Sequence, residues 1–160
     1  MKRLFLLLAA ALLAFGSANA QKDFTTGQKE LRSELFNFLR GSGYSPSIDS
    51  DGDIAFEANG SHHWIIISAT DTDPYYVTVM RGAPFVEIYN YDRVLHACDE
   101  LNLYKTVKVE PLDEYAIIKS SLYLYRASAL TDVFFKILEV MDNAYDDFTY
   151  EYNNASLCGE

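Results

Sequence analysis

Apolar residues recur every three or four positions in three segments of the chain, which predicts three amphipathic helices. The segments are residues 25–40, 92–102 and 128–148. Gly41 and Gly43 follow the first segment directly and are expected to end its helix. The stripe of the last helix is predicted to consist of Leu130, Val133, Phe134, Ile137, Met141, Ala144 and Phe148.

Between these helices, short segments rich in β-branched and aromatic residues predict strands. They cover residues 44–48, 53–58, 61–70, 75–80, 106–110 and 114–125. Asp51-Gly52 and Asn59-Gly60 are tight-turn dipeptides that join the early strands as hairpins. Pro46 lacks a backbone donor, so we expect its strand at an edge of the sheet. Residues 81–84 are predicted to form a loop, and residues 85–89 to extend or re-form a strand.

The predicted order of elements is α-β-β-β-β-α-β-β-α. Strands joined as hairpins, with helices segregated from them, are typical of an α+β domain. We therefore predict a two-layer fold, in which an antiparallel sheet of five to six strands carries helices packed on one face.

The last predicted strand has two different faces. One is an apolar row able to meet the helices, and the other carries Tyr115, Ile117, Lys119, Tyr123 and Tyr125. Antiparallel sheets commonly leave one face to solvent, and a patch of tyrosine, isoleucine and lysine is typical of protein-binding surfaces. These five residues are the candidate protein-binding site. The alternatives are that a helix or loop covers them, or that tyrosine is present for its strand propensity.

The first twenty residues have the pattern of a secretory signal peptide. Lys2 and Arg3 precede an apolar run over residues 4–15, and Ala18-Asn19-Ala20 is a small-x-small cleavage signal. The run is shorter than the ~20 residues of a membrane span, although an uncleaved anchor is the alternative. We therefore expect a signal peptide over residues 1–20, a single domain over 21–152 and a flexible tail over 153–160. The mature protein would be periplasmic or extracellular, without stable membrane insertion.

The chain is acidic, with a formal net charge of −10. The predicted signal peptide holds basic and no acidic residues, so its removal makes the chain more acidic still. An acidic surface repels phosphate, which argues against nucleic acid and against an anionic membrane as a partner. Twelve tyrosines argue against a disordered acidic tail, so the chain is expected to fold.

No motif for catalysis, for a cofactor or for a metal ion is present in the sequence. Asp49, Asp51 and Asp53 have the spacing that begins a calcium-binding EF-hand loop, but Ile54 and Gly60 occupy the positions that require glycine and glutamate. His62 and His63 are adjacent, so in a strand they point to opposite faces. We expect no catalytic residue, no cofactor and no metal.

The two cysteines leave one question open. Cys98 lies on the apolar stripe of the second predicted helix, where a buried free thiol fits. Cys158 lies in the predicted tail. An oxidising compartment would permit a bridge between them, and both readings remain open.

The whole predicted domain resembles the YbjN domain family. The matching segments include the turn Ser50-Asp51-Gly52-Asp53-Ile54, the strand over residues 64–69, and the helix over residues 94–102 with its final Leu101-Asn102 pair. Asp99 departs from the asparagine that the family often has there. The resemblance implies a fold similar to type III secretion chaperones and a tendency to dimerise or bind protein. Family members are commonly cytoplasmic, and the signal peptide pattern departs from that.

These features together predict an exported, non-enzymatic protein-interaction or chaperone-like module. Its partner would be a second copy, forming a homodimer, or a protein client. The alternatives are a small-ligand-binding protein, with a pocket between sheet and helices, or an uncharacterised hydrolase.

Overall fold

The computed structural model describes residues 23–84, 90–104, 106–112 and 115–155. The predicted signal peptide, the predicted strand over residues 85–89 and Cys158 lie outside these ranges. The helices are α1 (Thr26–Gly41), α2 (Tyr91–Tyr104), α3 (Ala127–Thr131) and α4 (Phe134–Asn154). The strands are β1 (Ser47–Ile48), β2 (Ile54–Ala58), β3 (Ser61–Thr72), β4 (Tyr75–Pro84), β5 (Lys108–Pro111) and β6 (Tyr115–Leu124).

The six strands form one antiparallel sheet in the order β1-β2-β3-β4-β6-β5. β4 and β6 pair along their whole length, from Tyr75 opposite Leu124 to Pro84 opposite Tyr115. β1 is an edge strand, as the proline before it predicts. The α+β fold and its order of elements are confirmed.

The helices bury their apolar stripes against one face of the sheet, here called the inner face. Alternate strand residues point towards them, because successive side chains of a strand lie on opposite faces. The inner face contributes to the core Ile54, Phe56, Ile65, Ile67, Val77, Val79, Val109, Ala116, Ile118 and Leu124. Leu31, Leu35 and Leu39 of α1 pack on one part of this core, as their spacing predicts.

The predicted loop over residues 81–84 is wrong, because β4 continues through Pro84. Arg81 and Gly82 suggest a turn by composition, yet they pair with Ile118 and Ile117 of β6. Arg81 points inward and is neutralised there by Asp142 of α4, which is why a charged residue is tolerated in a central strand.

The predicted single last helix is also wrong, because α3 ends at Thr131 and α4 begins at Phe134. Val133 is the residue that precedes α4, with φ −115° and ψ −1°, and its side chain is exposed. Leu138 takes part in the buried stripe instead, and the helix runs on through Asn153 and Asn154. Residues 156–160 of the predicted tail lie outside the described ranges. No helix in the described part of the chain is long and apolar enough to cross a membrane.

Candidate functional site

The face of the sheet that points away from the helices, here called the outer face, is the candidate site. Ala55 lies on this face opposite Trp64 and is buried. The half-buried or exposed residues of the face are Glu57, His62, Trp64, Ile66, Tyr76, Thr78, Met80, Lys108, Glu110, Tyr115, Ile117, Lys119, Ser121 and Tyr123. They alternate along their strands with the buried residues of the inner face. Among the described elements, the helices use the inner face, which leaves on the outer one a surface where aromatic and aliphatic side chains are mixed with polar and charged ones.

Four of the five predicted site residues lie on this face, and the fifth lies at its border. Tyr115 and Tyr123 are 44% and 63% exposed, whereas Ile117 and Lys119 are half-buried between strands. Tyr125 follows the last residue of β6 and is 75% exposed. The structure shows that the three tyrosines are exposed, and the role of all five residues in binding stays a prediction.

Strand pairing joins these residues to a set that sequence reasoning missed. Tyr76 of β4 lies opposite Tyr123, with ring centroids 4.8 Å apart, and Met80 lies between Trp64 and Lys119. The alternating pattern of the third and fourth predicted strands could have indicated these residues. The sequence does not show the strand order, which places those strands beside β6. The result is a continuous surface of aromatic and aliphatic side chains across three strands.

Charges on the outer face are balanced. Lys119 Nζ lies 2.5 Å from Glu110 Oε1, and His62 Nδ1 lies 2.5 Å from Glu57 Oε1. Lys108 is the remaining charged residue among those that define the face. A chain with a net charge of −10 therefore presents here a surface that carries none of its excess negative charge.

Both edges of the sheet are poor docking sites for an added strand. At the β5 edge, the Asn102 amide donates to Val109 O and accepts from Val109 N, each at 3.0 Å. This side chain occupies the backbone groups that an incoming strand would need. At the other edge, β1 is two residues long and follows Pro46. The open face, rather than an edge, therefore offers a partner more accessible surface.

A depression between the sheet and a helix is too small for a typical ligand. A depression of about 110 Å³ lies between β6 and the start of α4, lined by Thr106, Val107, Ser120, Val133, Lys136, Ile137 and Val140. Typical small-molecule pockets measure about 300–1,000 Å³, so this depression does not favour a ligand-binding function.

Residues with metal or thiol chemistry do not assemble into a site in the described ranges. Those ranges hold no group of three or more His, Cys, Asp or Glu side chains able to share a metal ion. Cys98 is buried on α2, and burial raises the pKa of its thiol to about 11. Such a thiol is a poor nucleophile at neutral pH. No disulfide joins Cys98 to another described residue.

Five residues form an inner polar cluster beneath the sheet: His63, Arg81, Asp142, Asn59 and Ser61. Arg81 Nη1 lies 2.5 Å from Asp142 Oδ1, and Arg81 Nη2 donates to Ser61 Oγ at 2.7 Å. Asn59 Nδ2 donates to Asp142 Oδ2 at 2.6 Å. His63 is fully buried directly opposite Arg81 in the strand register. Sequence reasoning missed the cluster because Arg81 and Asp142 are 61 positions apart.

Five chains of solved structures are similar to this chain, among them one from a chaperone–effector complex. A chain of the HopA1–SchA chaperone–effector complex aligns with probability 1.00, a TM-score of 0.49 and 11% identity, over 76% of this chain and 99% of that chain. A similarity at this level assigns no function. No family model and no curated protein matches the chain, so the resemblance to the YbjN domain family is not confirmed and stays a prediction.

Proposed function

We propose that this chain is a protein-binding module and that the outer face is its docking surface. The observation that supports the proposal is the row of half-buried Trp64, Ile66, Tyr76 and Met80 beside the exposed Tyr123, on a sheet whose other face is covered by helices. Aromatic residues and methionine are enriched in protein interfaces. They also supply most of the binding energy where they become fully desolvated.

The size of the outer face fits a specific interface. Strands are spaced about 4.8 Å apart and rise about 3.4 Å per residue, so the six strands present about 700 Å². A standard interface buries about 800 Å² on each partner. A partner that covers the whole face would therefore bury an area close to that of a standard interface without a contribution from the helices.

The charge distribution favours a second copy of this chain as the partner. Two copies of an acidic protein repel one another over most of their surfaces. The outer face carries Glu57 and Glu110 already paired with His62 and Lys119, so two such faces meet with little repulsion. A strongly basic client would instead be attracted to the acidic surface elsewhere.

The test compares two tyrosines of equal exposure on different surfaces. Tyr123 on the outer face is 63% exposed, and Tyr150 on α4 is 64% exposed. We expect Tyr123→Asp to weaken self-association at least tenfold in sedimentation equilibrium, because it places a charge in an apolar contact. Tyr150→Asp should leave self-association unchanged, and the circular dichroism of both variants should match the unmodified protein.

Two further outcomes separate the partner from the function. If the protein is monomeric at 100 μM, its partner is not a second copy of this chain. A pull-down from a cell extract would then test whether a different protein binds. A partner retained by Tyr150→Asp bait and lost by Tyr123→Asp bait would preserve the binding function. Equal behaviour of the two baits, in a protein that is monomeric, would overturn the proposed function.

We also propose that the module acts after export, as a periplasmic or extracellular protein. Support comes from the basic pair Lys2-Arg3, the apolar run over residues 4–15 and the Ala18-Asn19-Ala20 signal. The intact mass of protein recovered from cells tests this, with Gln21 expected as the first residue. A mass that retains residues 1–20 would contradict it.

A further inference from the structure

His63 is a titratable group that the proposed docking surface does not use. It lies on β3, fully buried, with its ring stacked on Phe56 at a centroid distance of 5.3 Å. The neighbouring His62 points to the outer face and is exposed. The two adjacent histidines therefore occupy opposite environments, as their alternation predicts.

Hydrogen bonding fixes the protonation of the buried ring. His63 Nδ1 lies 2.9 Å from the carbonyl oxygen of Ser61, which can only accept, so Nδ1 carries the proton. In the neutral ring Nε2 is then an acceptor, and this buried atom has no partner among the described residues. A proton added at Nε2 would create a buried N–H without an acceptor, and a buried charge as well.

Charged groups approach His63 from three elements. Arg81 of β4 lies opposite His63 in the strand register, and its positive charge disfavours protonation of the imidazole. Asp142 of α4 and Glu57 of β2 are negatively charged and favour protonation. The carboxylate of Asp142 is already bound by Arg81 and Asn59, and Glu57 is bound by His62. Burial is the largest effect and lowers the pKa of His63 below its ordinary value of 6.5.

The same groups hold α4 against the sheet. Asp142 joins α4 to Arg81 of β4 and to Asn59 in the β2–β3 turn. The Arg81 guanidinium also lies over the Tyr145 ring of α4, 4.4 Å from its centroid. To accommodate an imidazolium, the cluster must either divert Asp142 from Arg81 or admit water, and both weaken these contacts.

We propose that the inner polar cluster is an acid-sensitive latch, in which protonation of His63 loosens the docking of α4 on β4 and the β2–β3 turn. The latch is closed at neutral pH, when His63 is uncharged. It opens in mild acid because one carboxylate then faces two buried cations.

The direction of the pH effect follows from linkage. In the unfolded or opened chain His63 has its ordinary affinity for a proton, whereas the closed state binds one less readily. The stability of the closed state is therefore complete above pH 6.5 and is lost as the pH falls below it. Because one group titrates, the equilibrium constant for folding falls by at most about tenfold for each unit by which the pH is lowered.

The experiment measures urea unfolding of the full chain at pH 7.5, 6.5 and 5.5. We expect the equilibrium constant for folding of the unmodified protein to fall several-fold as the pH is lowered from 6.5 to 5.5. His63→Gln should remove this fall, because glutamine does not titrate, and His63→Phe is a second variant that retains the stack on Phe56. His62→Gln is the matched control and should retain the fall. The same fall in the His63 variants as in the unmodified protein would overturn the proposal.

Hydrogen exchange locates the opening in the unmodified protein. We expect amides around Asp142 and Gly60 to lose protection at pH 5.5, after correction for the intrinsic rate, while the β4–β6 pairing retains it. Equal loss across the whole sheet would mean global destabilisation and would overturn a local latch.

Discussion

Gly27 lies in the first turn of α1, beside the Tyr75 side chain of β4. A Cβ atom at this position would collide with the hydroxyl oxygen of Tyr75 and lie 3.4 Å from its Cζ. We expect Gly27→Ala to lower the free energy of unfolding by about 1 kcal/mol, because an overpacking cost of about 1–3 kcal/mol exceeds the helix propensity gained. Chemical denaturation measures this loss.

Removal of the Tyr75 hydroxyl provides the control. In a Tyr75→Phe background the collision is absent, so Gly27→Ala should be neutral or stabilising by a few tenths of a kcal/mol. The four proteins form a double-mutant cycle. If Gly27→Ala costs the same in both backgrounds, the contact with Tyr75 is not the reason for glycine at this position.

Individual side chains were predictable where their position depends on alternation alone. The shared face of Tyr115 and Tyr123 follows from their place on one strand, and the opposite directions of His62 and His63 follow from theirs, whereas the exposure of the tyrosines was left open by the sequence. The partners of Arg81 were not predictable, because Asp142 reaches it from a helix 61 positions away. Contacts of that kind depend on how elements pack, which a local pattern does not contain.

At the scale of elements, one side chain of α2 binds the outward backbone groups of β5. Asn102 of α2 makes both hydrogen bonds that the outward backbone groups of Val109 require. Asn102→Ala leaves a donor and an acceptor at a half-buried edge without these bonds. We expect a loss of about 1–3 kcal/mol in the free energy of unfolding, measured in urea.

A surface asparagine on another helix serves as the control. Asn37 is exposed on α1, so Asn37→Ala should change stability by less than about 0.5 kcal/mol. Since Asn102 also blocks the β5 edge, light scattering should reveal faster aggregation of Asn102→Ala on heating. Equal stability of the two variants would show that water replaces the amide at no cost.

Most element boundaries could be predicted because hydrophobic period and turn residues agree with the final packing. Asp51-Gly52 and Asn59-Gly60 precede β2 and β3 as expected, and both glycines have positive φ. The two failures have a common cause. The continuation of β4 through Arg81 depends on its pairing with β6 and Asp142, and the break at Val133 depends on how α3 and α4 meet the sheet.

At the scale of the whole molecule, charge and apolar surface are separated. The acidic residues lie mainly away from the outer face, whose charged side chains are largely paired with one another. Two copies that meet through this face therefore gain from apolar burial, while their remaining surfaces repel one another through the net charge of −10. Salt weakens the repulsion between the acidic surfaces and leaves the apolar contact unchanged, whereas it weakens an interface held by ion pairs.

This separation predicts that salt strengthens self-association. Salt shortens the Debye length from about 14 Å at 0.05 M to about 4 Å at 0.5 M, which screens repulsion between the acidic surfaces. The apolar contact is not weakened by screening, so we expect the dimer dissociation constant to fall a few-fold over this range in sedimentation equilibrium. A rise in the dissociation constant would instead indicate an interface held by ion pairs such as Lys119–Glu110. Repeating the titration with Lys119→Gln distinguishes the cases, because only an interface that depends on this lysine would lose its response to salt.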